Sequence, residues 1–100
     1  MTMSTSLCVT ASFSIRPGTF DATRTILAEL SERTREEPGC LEYGYYQSLD
    51  DPLRFCSFEV WRSAAEEAAH WQTAHLRLAL EQVAPLLHGS PTVTRALRIA

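Results

Sequence analysis

Apolar residues recur with a period of two at the start of the chain and with a helical period after it. Residues 7–15, LCVTASFSI, alternate apolar and small side chains, which predicts a β-strand with one apolar face. Arg16-Pro17-Gly18 ends the strand, and Thr19 is placed to cap a helix. The predicted helix stripe contains Phe20, Thr23, Ile26, Leu27, Leu30 and Thr34. We expect this amphipathic helix to cover one face of a sheet.

Two extended runs follow a helix stop at Pro38-Gly39 and predict a β-hairpin. Residues 41–48 and 53–61 are rich in aromatic and apolar side chains, and Leu49-Asp50-Asp51-Pro52 between them favours a turn. Pairing Tyr46 with Phe55 would put two sets of side chains on opposite faces. One set is Glu42, Gly44, Tyr46, Phe55, Ser57, Glu59 and Trp61; the other is Leu41, Tyr43, Tyr45, Cys56, Phe58 and Val60. Neither set is typical of a solvent-facing surface.

The second half predicts helix and then strand. Ser63-Ala64-Ala65-Glu66 matches a capping box, and Thr73 is placed to cap a further helical segment. The stripe of that segment is Leu76, Leu80, Val83 and Leu87, with Pro85 expected to kink or tighten its last turn. Periodicity leaves open whether this is one helix or two helices broken near Gln72. Residues 91–100 alternate again and predict a last strand.

The predicted element order, β-α-β-β-α-β, is that of a ferredoxin-like α+β fold with an antiparallel sheet and helices on one face. We expect residues 1–100 to form a single domain, with residues 1–6 as a flexible N-terminus. The helices leave the second sheet face bare. Burial of that face against a second copy would give a homodimer, because two-fold pairing is the commonest symmetric solution.

Composition excludes several classes of partner. The net charge is −3, with nine arginines and no lysine, and this balance gives no electrostatic footprint for nucleic acid. No apolar run approaches the roughly 20 residues that cross a bilayer, and the N-terminus lacks a basic segment, so we expect a cytoplasmic protein. Cys8, Cys40 and Cys56 are odd in number and form no C-x-x-C pair, which favours buried free thiols.

Two histidines are the main candidates for chemistry. His70 and His75 are five residues apart, which on an unbroken helix separates them by about 140°, so we expect no metal site. A helix break would turn both towards one cleft, where neutral imidazole suits proton abstraction from a phenol or activated C–H group. The alternatives are a half-buried His70 bonded to a backbone carbonyl and a His75 that packs on Trp71.

The predicted hairpin supplies further candidates. Trp61 and Tyr46 suit the walls of a flat aromatic pocket. Glu42 and Glu59 would form an acid–base pair if burial raised one pKa, or would pair with an arginine such as Arg95 or Arg98. The sequence has no glycine-rich phosphate loop and no nucleophile elbow, so we expect no cofactor.

Several segments together resemble the antibiotic biosynthesis monooxygenase (ABM) domain family of dimeric α+β barrels. They are T-R-E-E-P-G-C-L-E-Y, D-D-P-L-R-F, E-V-W, H-W-Q-T-A-H and A-P-L-L, and the resemblance spans nearly the whole chain. Proteins similar to this pattern include oxygenases that act on quinols, anthrones and other electron-rich aromatics without metal or flavin. They also include haem-degrading enzymes, isomerases and proteins with no known activity.

The resemblance implies a pocket between the helices and the sheet. Its catalytic residues would be His70 as proton acceptor with Trp61 and Tyr46 as aromatic walls, and its substrate contacts would be His75, Phe58 and Glu59. A deprotonated aromatic substrate would pass an electron to dioxygen, and the resulting peroxide would lose water to give a quinone. The haem-degrading branch keeps an asparagine on its first strand, which residues 7–15 lack. The competing expectation is a non-oxidative isomerase, cyclase or ligand-binding dimer.

Overall fold

The structure, a computed structural model, describes residues 6–100 and has the predicted ferredoxin-like α+β fold. Residues 1–5 of the segment predicted to be flexible lie outside the described residues. The elements in chain order are β1 (Leu7–Ile15), α1 (Phe20–Arg35), β2 (Cys40–Gln47), β3 (Arg54–Trp61), α2 (Ala64–His70), α3 (Ala74–Val83) and β4 (Leu87–Leu97). Within residues 6–100, no helix is both long enough and apolar enough to cross a bilayer.

The described strands form one antiparallel sheet in the order β2-β3-β1-β4. The helices cover the face that carries the apolar side chains of β1, with Val9 and Ile15 each only 1% exposed. The predicted stripe of α1 is confirmed in part, since Thr23, Leu27, Leu30 and Thr34 are buried. Phe20 remains 38% exposed. The core therefore lies between one side of the sheet and the helices.

The predicted hairpin register is wrong by one residue. Tyr46 lies opposite Cys56, and Gln47 lies opposite Phe55. The pairing also shifts between Cys40 and Glu42, where the ladder is irregular. Because side chains alternate, this slip moves the β2 side chains from Glu42 to Gln47 to the other face of the sheet, whereas Cys40 keeps the pairing with Trp61 that the predicted register implies. Tyr43 and Tyr45 therefore face the helices, and Tyr46 does not.

The open question about the second helical region is resolved in favour of two helices. Each begins at a predicted cap: the Ser63 side chain accepts from the Glu66 amide, and the Thr73 side chain accepts from the Leu76 amide. Three residues separate α2 from α3. This break turns the chain between His70 and His75.

The last strand starts earlier than predicted. Pro85 lies in a short 3-10 turn, Ala84–Leu86, so the last helical turn is tightened as expected. Leu87 is the first residue of β4 instead of a member of the helix stripe, because it pairs with Ile15 of β1. Gly89 has a φ of 81°, which glycine adopts without strain, and it lies where the β1–β4 register shifts.

The uncovered face of the sheet carries large exposed side chains. Tyr46 is 60% exposed and Phe58 is 42% exposed. Phe58 lies opposite Gly44 in the β2–β3 ladder, so both aromatic side chains belong to the same face. We call this surface, centred on Tyr46 and Phe58, the open face.

Candidate active site

A cavity of about 320 Å³ lies between the helices and the sheet. Its walls are mostly apolar and include Phe13, Leu27, Leu76, Val83, Leu87 and Val93. The side chains with polar atoms in its lining are Tyr43, Tyr45, Glu59, His70 and Trp71. An apolar cavity with few polar groups is the usual form of a small-molecule site.

His70 is the most enclosed histidine of the chain. It is the last residue of α2 and is 2% exposed. Its ring centroid lies 4.8 Å from that of Trp61 and 5.4 Å from that of Tyr43. These rings fix the plane of the imidazole, and the same imidazole forms part of the cavity wall.

Glu37 joins both candidate histidines. Its Oε2 atom lies 2.7 Å from Nδ1 of His70 and 2.7 Å from Nε2 of His75. An ionised carboxylate oxygen only accepts hydrogen bonds, so each of these ring nitrogens then carries the hydrogen. For His70 this leaves Nε2 as the basic nitrogen of the neutral ring. The three side chains form the cluster that we call the Glu37 triad: Glu37, His70 and His75.

Sequence reasoning did not select Glu37. The residue follows the end of α1 and directly precedes the predicted helix stop at Pro38-Gly39, and no local pattern marks it as functional. Its side chain is 13% exposed, although it stands in a loop, because the turn between α2 and α3 brings both imidazoles against it. The sequence did contain one signal for this cluster: a carboxylate directly before Pro-Gly, together with two histidines that flank a predicted helix break.

Glu59 is a second buried carboxylate at the cavity, 5% exposed. The hydroxyl of Ser57 donates to Oε2 at 2.7 Å, and Nε1–H of Trp61 donates to Oε1 at 3.0 Å. All three residues stand on the helix-covered side of β3, at alternate positions. The predicted pairing of Glu59 with Glu42 is wrong, because Glu42 lies opposite Val60 on the other face.

Two tyrosines replace the predicted Tyr46 in the cavity. The hydroxyls of Tyr43 and Tyr45 lie 2.9 Å apart, and both rings line the cavity. Burial raises the pKa of the Tyr43 phenol well above its usual value, with further contributions from Tyr45 and Glu59. Burial likewise raises the pKa of Tyr45. Both phenols are therefore neutral at ordinary pH and remain hydrogen-bond donors.

An ion pair ties β4 to α2 beside the cavity. Nε of Arg95 lies 2.9 Å from Oε1 of Glu67, and Nη2 lies 3.2 Å from Oε2. The Arg95 guanidinium also lies over the ring of Trp71, whose Nε1–H donates to Glu67. Arg95 thus pairs with Glu67, whereas the sequence suggested Glu42 or Glu59 as its partner.

Comparison with known proteins identifies the family. Residues 6–82 match the family described as antibiotic biosynthesis monooxygenase. The chain belongs to this family. The ABM resemblance drawn from the sequence segments is thereby confirmed.

Solved structures of similar proteins share the ABM fold. The chain is 30% identical to the protein PA3566 from Pseudomonas aeruginosa, with a TM-score of 0.88 over 100% of both chains. It is also 30% identical to Rv0793 from Mycobacterium tuberculosis, with a TM-score of 0.88 over 95% of this chain and 96% of that one. A putative antibiotic biosynthesis monooxygenase from Nitrosomonas europaea, 23% identical, has the same fold, with a TM-score of 0.90 over 96% and 92% of the two chains.

A longer relative matches part of the chain. The protein sll1783 from Synechocystis, described as uncharacterized, is 35% identical over 69 residues. That match covers 69% of this chain and 46% of the relative, so the aligned region spans about half the length of that protein.

The predicted site residues of this ABM chain fall in four places. His70 and Glu59 line the cavity. Trp61 is 0% exposed and supports both of them from the core, without itself lining the cavity. His75 contacts Glu37 and borders a separate surface groove. Tyr46 and Phe58 lie on the open face, so their predicted places in a pocket under the helices are wrong; the slipped register explains Tyr46.

Proposed function

We propose that this protein is a cofactor-independent monooxygenase that oxidises a quinol, an anthrone or a similar electron-rich aromatic with dioxygen. The observation that carries the proposal is the buried imidazole of His70, which lines an apolar cavity while its Nδ1 atom is hydrogen-bonded to the carboxylate of Glu37. Membership of the ABM family supports a monooxygenase role. The substrate class is our inference from the cavity chemistry and the sequence resemblance.

His70 acts as the general base in this proposal. The bond from Nδ1–H to Glu37 leaves the lone pair on Nε2, and the carboxylate stabilises the imidazolium that forms when Nε2 takes a proton. The acidic proton comes from a phenol or from the activated C–H group of an anthrone. Enclosure among aromatic rings keeps the imidazole in one orientation, which favours direct transfer from a bound substrate.

The remaining steps need only dioxygen and the substrate. The substrate anion passes an electron to dioxygen, the two radicals combine to a peroxide at carbon, and the peroxide takes up a proton and loses water. For anthrone the sum is anthrone plus O₂ to anthraquinone plus H₂O, with one oxygen atom in each product. The apolar wall excludes bulk water. Tyr43 and Tyr45 are hydrogen-bonded to each other, so the hydroxyl that accepts in this pair keeps its own hydrogen and is suited to donate to substrate oxygen.

A homodimer is part of the proposal. Tyr46 and Phe58 expose large aromatic area on a sheet face that the protein's own helices leave uncovered. A second copy that packs on the open face would bury this area, and the self-complementary geometry of two sheets suits two-fold pairing.

Dioxygen uptake tests the proposed activity. Chelator-treated protein is mixed with anthrone or a hydroquinone in an oxygen electrode, and uptake is compared with a protein-free blank. We expect uptake by the wild type and by His88→Ala, which changes an exposed histidine, and at least a hundredfold loss in His70→Ala. Uptake that survives in His70→Ala and disappears in His75→Ala would reassign the base. A folded wild type without uptake on any such substrate would contradict the proposal.

A second candidate function follows from Glu59. Two proton-accepting groups, Glu59 and His70, line the same cavity, an arrangement that also suits an isomerase in which one group removes a proton and the other returns it. Exchange of substrate C–H for deuterium without dioxygen uptake, lost in Glu59→Gln, would favour this alternative.

A further inference from the structure

We propose that the Glu37 triad is a binding site for a divalent transition-metal ion, and we take Zn²⁺ as the representative ion. Two imidazole nitrogens and one carboxylate oxygen are donors that zinc and its neighbours in the first transition row accept. The sequence predicts that the two histidines do not chelate a metal, because an unbroken helix would separate them by about 140°. The break between α2 and α3 removes the basis of that prediction.

The donor atoms already converge. Nδ1 of His70, Nε2 of His75 and a carboxylate oxygen of Glu37 lie within 4.8 Å of one another. They come from three different segments: the loop after α1, the end of α2 and the first turn of α3. Zinc ligands lie roughly 2.0–2.2 Å from the metal, which in a tetrahedral site sets neighbouring donors roughly 3.3–3.6 Å apart. Each nitrogen, now 2.7 Å from the shared oxygen, needs to withdraw from it by less than an ångström. The widest donor separation in the cluster, up to 4.8 Å, needs to shorten by about an ångström.

Electrostatics favours a cation at this point. The Glu37 side chain is 13% exposed, and it accepts hydrogen bonds from the two imidazoles. Among residues 6–100, no arginine forms an ion pair with it. A mostly buried carboxylate without a fixed positive partner is stabilised by a proton on an imidazole or by a metal ion.

An ion has a route to the triad that bypasses the cavity. The His75 side chain is 25% exposed and borders a surface groove formed by α1 and α3. His70 closes the opposite side of the triad and faces the cavity. A metal ion bound by the triad would therefore be reached from the groove past His75, and a water molecule on that side would complete a four-ligand site.

Metal binding would switch off the base, a consequence that rests on the proposed function. A neutral histidine that ligates through Nδ1 carries its hydrogen on Nε2. Nε2 of His70 then has no lone pair with which to take a proton from the substrate. Zn²⁺ would thus inhibit the oxygenase, although the metal itself does not enter the cavity.

The test measures binding and does not depend on turnover. Four chelator-treated proteins are titrated with ZnCl₂ by calorimetry: the wild type, His75→Ala, Glu37→Gln and His88→Ala. Circular dichroism checks that each is folded. We expect one Zn²⁺ per chain in the wild type and in the His88→Ala control, and at least tenfold weaker binding in both triad variants. Binding in the triad variants equal to that of the wild type, or wild-type affinity no tighter than about millimolar, would overturn the site.

A second measurement separates this site from the three cysteines. Co²⁺ in place of Zn²⁺ gives visible bands for nitrogen and oxygen ligands, and a thiolate ligand adds an intense near-ultraviolet charge-transfer band. We expect the bands without the thiolate signal, and a thiolate signal would overturn the assignment. Zinc binding by the intact triad in a protein without oxygenase activity would support the site while contradicting the proposed function.

Discussion

Oε2 of Glu37 lies 2.7 Å from Nδ1 of His70, although the two residues are 33 positions apart in the chain. The contact sets the tautomer of a histidine that borders an apolar cavity. Glu37 does not itself line the cavity, so it acts on chemistry there only through His70. In the proposed reaction it is a positioning residue.

Replacement of Glu37 by glutamine should lower kcat and leave KM nearly unchanged. Glutamine can still accept a hydrogen bond from Nδ1, but it lacks the negative charge that stabilises the imidazolium. We expect kcat to fall roughly tenfold to a hundredfold, within the range of general-base effects. The neighbouring exposed Glu36→Gln serves as control in steady-state kinetics. Unchanged kcat, or an equal effect in the control, would remove Glu37 from the mechanism.

Replacement of Trp61 by phenylalanine should destabilise the protein more than the same change at Trp71. Trp61 is fully buried and donates one of the two hydrogen bonds that satisfy Glu59, so its loss leaves a buried carboxylate short of a partner. We expect about 1–3 kcal/mol less free energy of unfolding in urea. Trp71→Phe should cost less, because Glu67 keeps Arg95. Equal losses would show that the Glu59 bond contributes little.

The Glu67–Arg95 pair should make stability depend on pH. Burial by itself would raise the pKa of Glu67, but hydrogen bonds from Arg95 and Trp71 outweigh it and hold that pKa below its usual value. Its contribution is therefore present above the ordinary carboxyl pKa, about 4.3, and is lost as the pH falls through the lower folded value.

The comparison of wild type with Glu67→Gln isolates this contribution. The difference in free energy of unfolding should be larger at pH 7 than at pH 3, as measured by urea titration at each pH. Exposed Glu81→Gln should show no such trend. A Glu67→Gln difference that is constant across this range would contradict the assigned direction of the shift.

Charge on the open face should dissociate the proposed homodimer. Phe58→Asp places a carboxylate where two sheets would meet, and a buried unpaired charge is strongly unfavourable. By light scattering after size exclusion, the wild type should elute as a dimer and Phe58→Asp as a folded monomer. Leu49→Asp, at a fully exposed turn residue, should remain dimeric. A monomeric wild type at micromolar concentration would end the dimer proposal.

The sequence was sufficient for the fold because local signals agreed with one another. Ser63 and Thr73 are both cap residues in the structure, and the alternation of β1 matches its burial. The hairpin register was not accessible in the same way. Both faces of β2 carry aromatic side chains, so the apolar pattern fits either register, and an irregular pairing after Cys40 decided between them.

The candidate site was predictable only where one residue type suggested chemistry by itself. His70 was selected for its imidazole, and its cavity position agrees with that choice. Glu37 depends on contacts across 33 and 38 positions with His70 and His75, which no local pattern reports. Tyr45 is not among the predicted site residues, because the predicted register, which differs by one residue, puts Tyr46 on the helix-covered face in its place.

Proton removal by His70 is the central claim, and an anaerobic spectrum tests it most directly. Without dioxygen, bound anthrone cannot go on to product, and its anion absorbs at longer wavelength than the neutral molecule. Wild-type protein at neutral pH should give the spectrum of the bound anion. His70→Ala should still bind anthrone, as shown by quenching of its tryptophan fluorescence, but the bound anthrone should remain neutral. An anion spectrum of equal intensity in His70→Ala, or neutral bound anthrone in the wild type, would contradict the account.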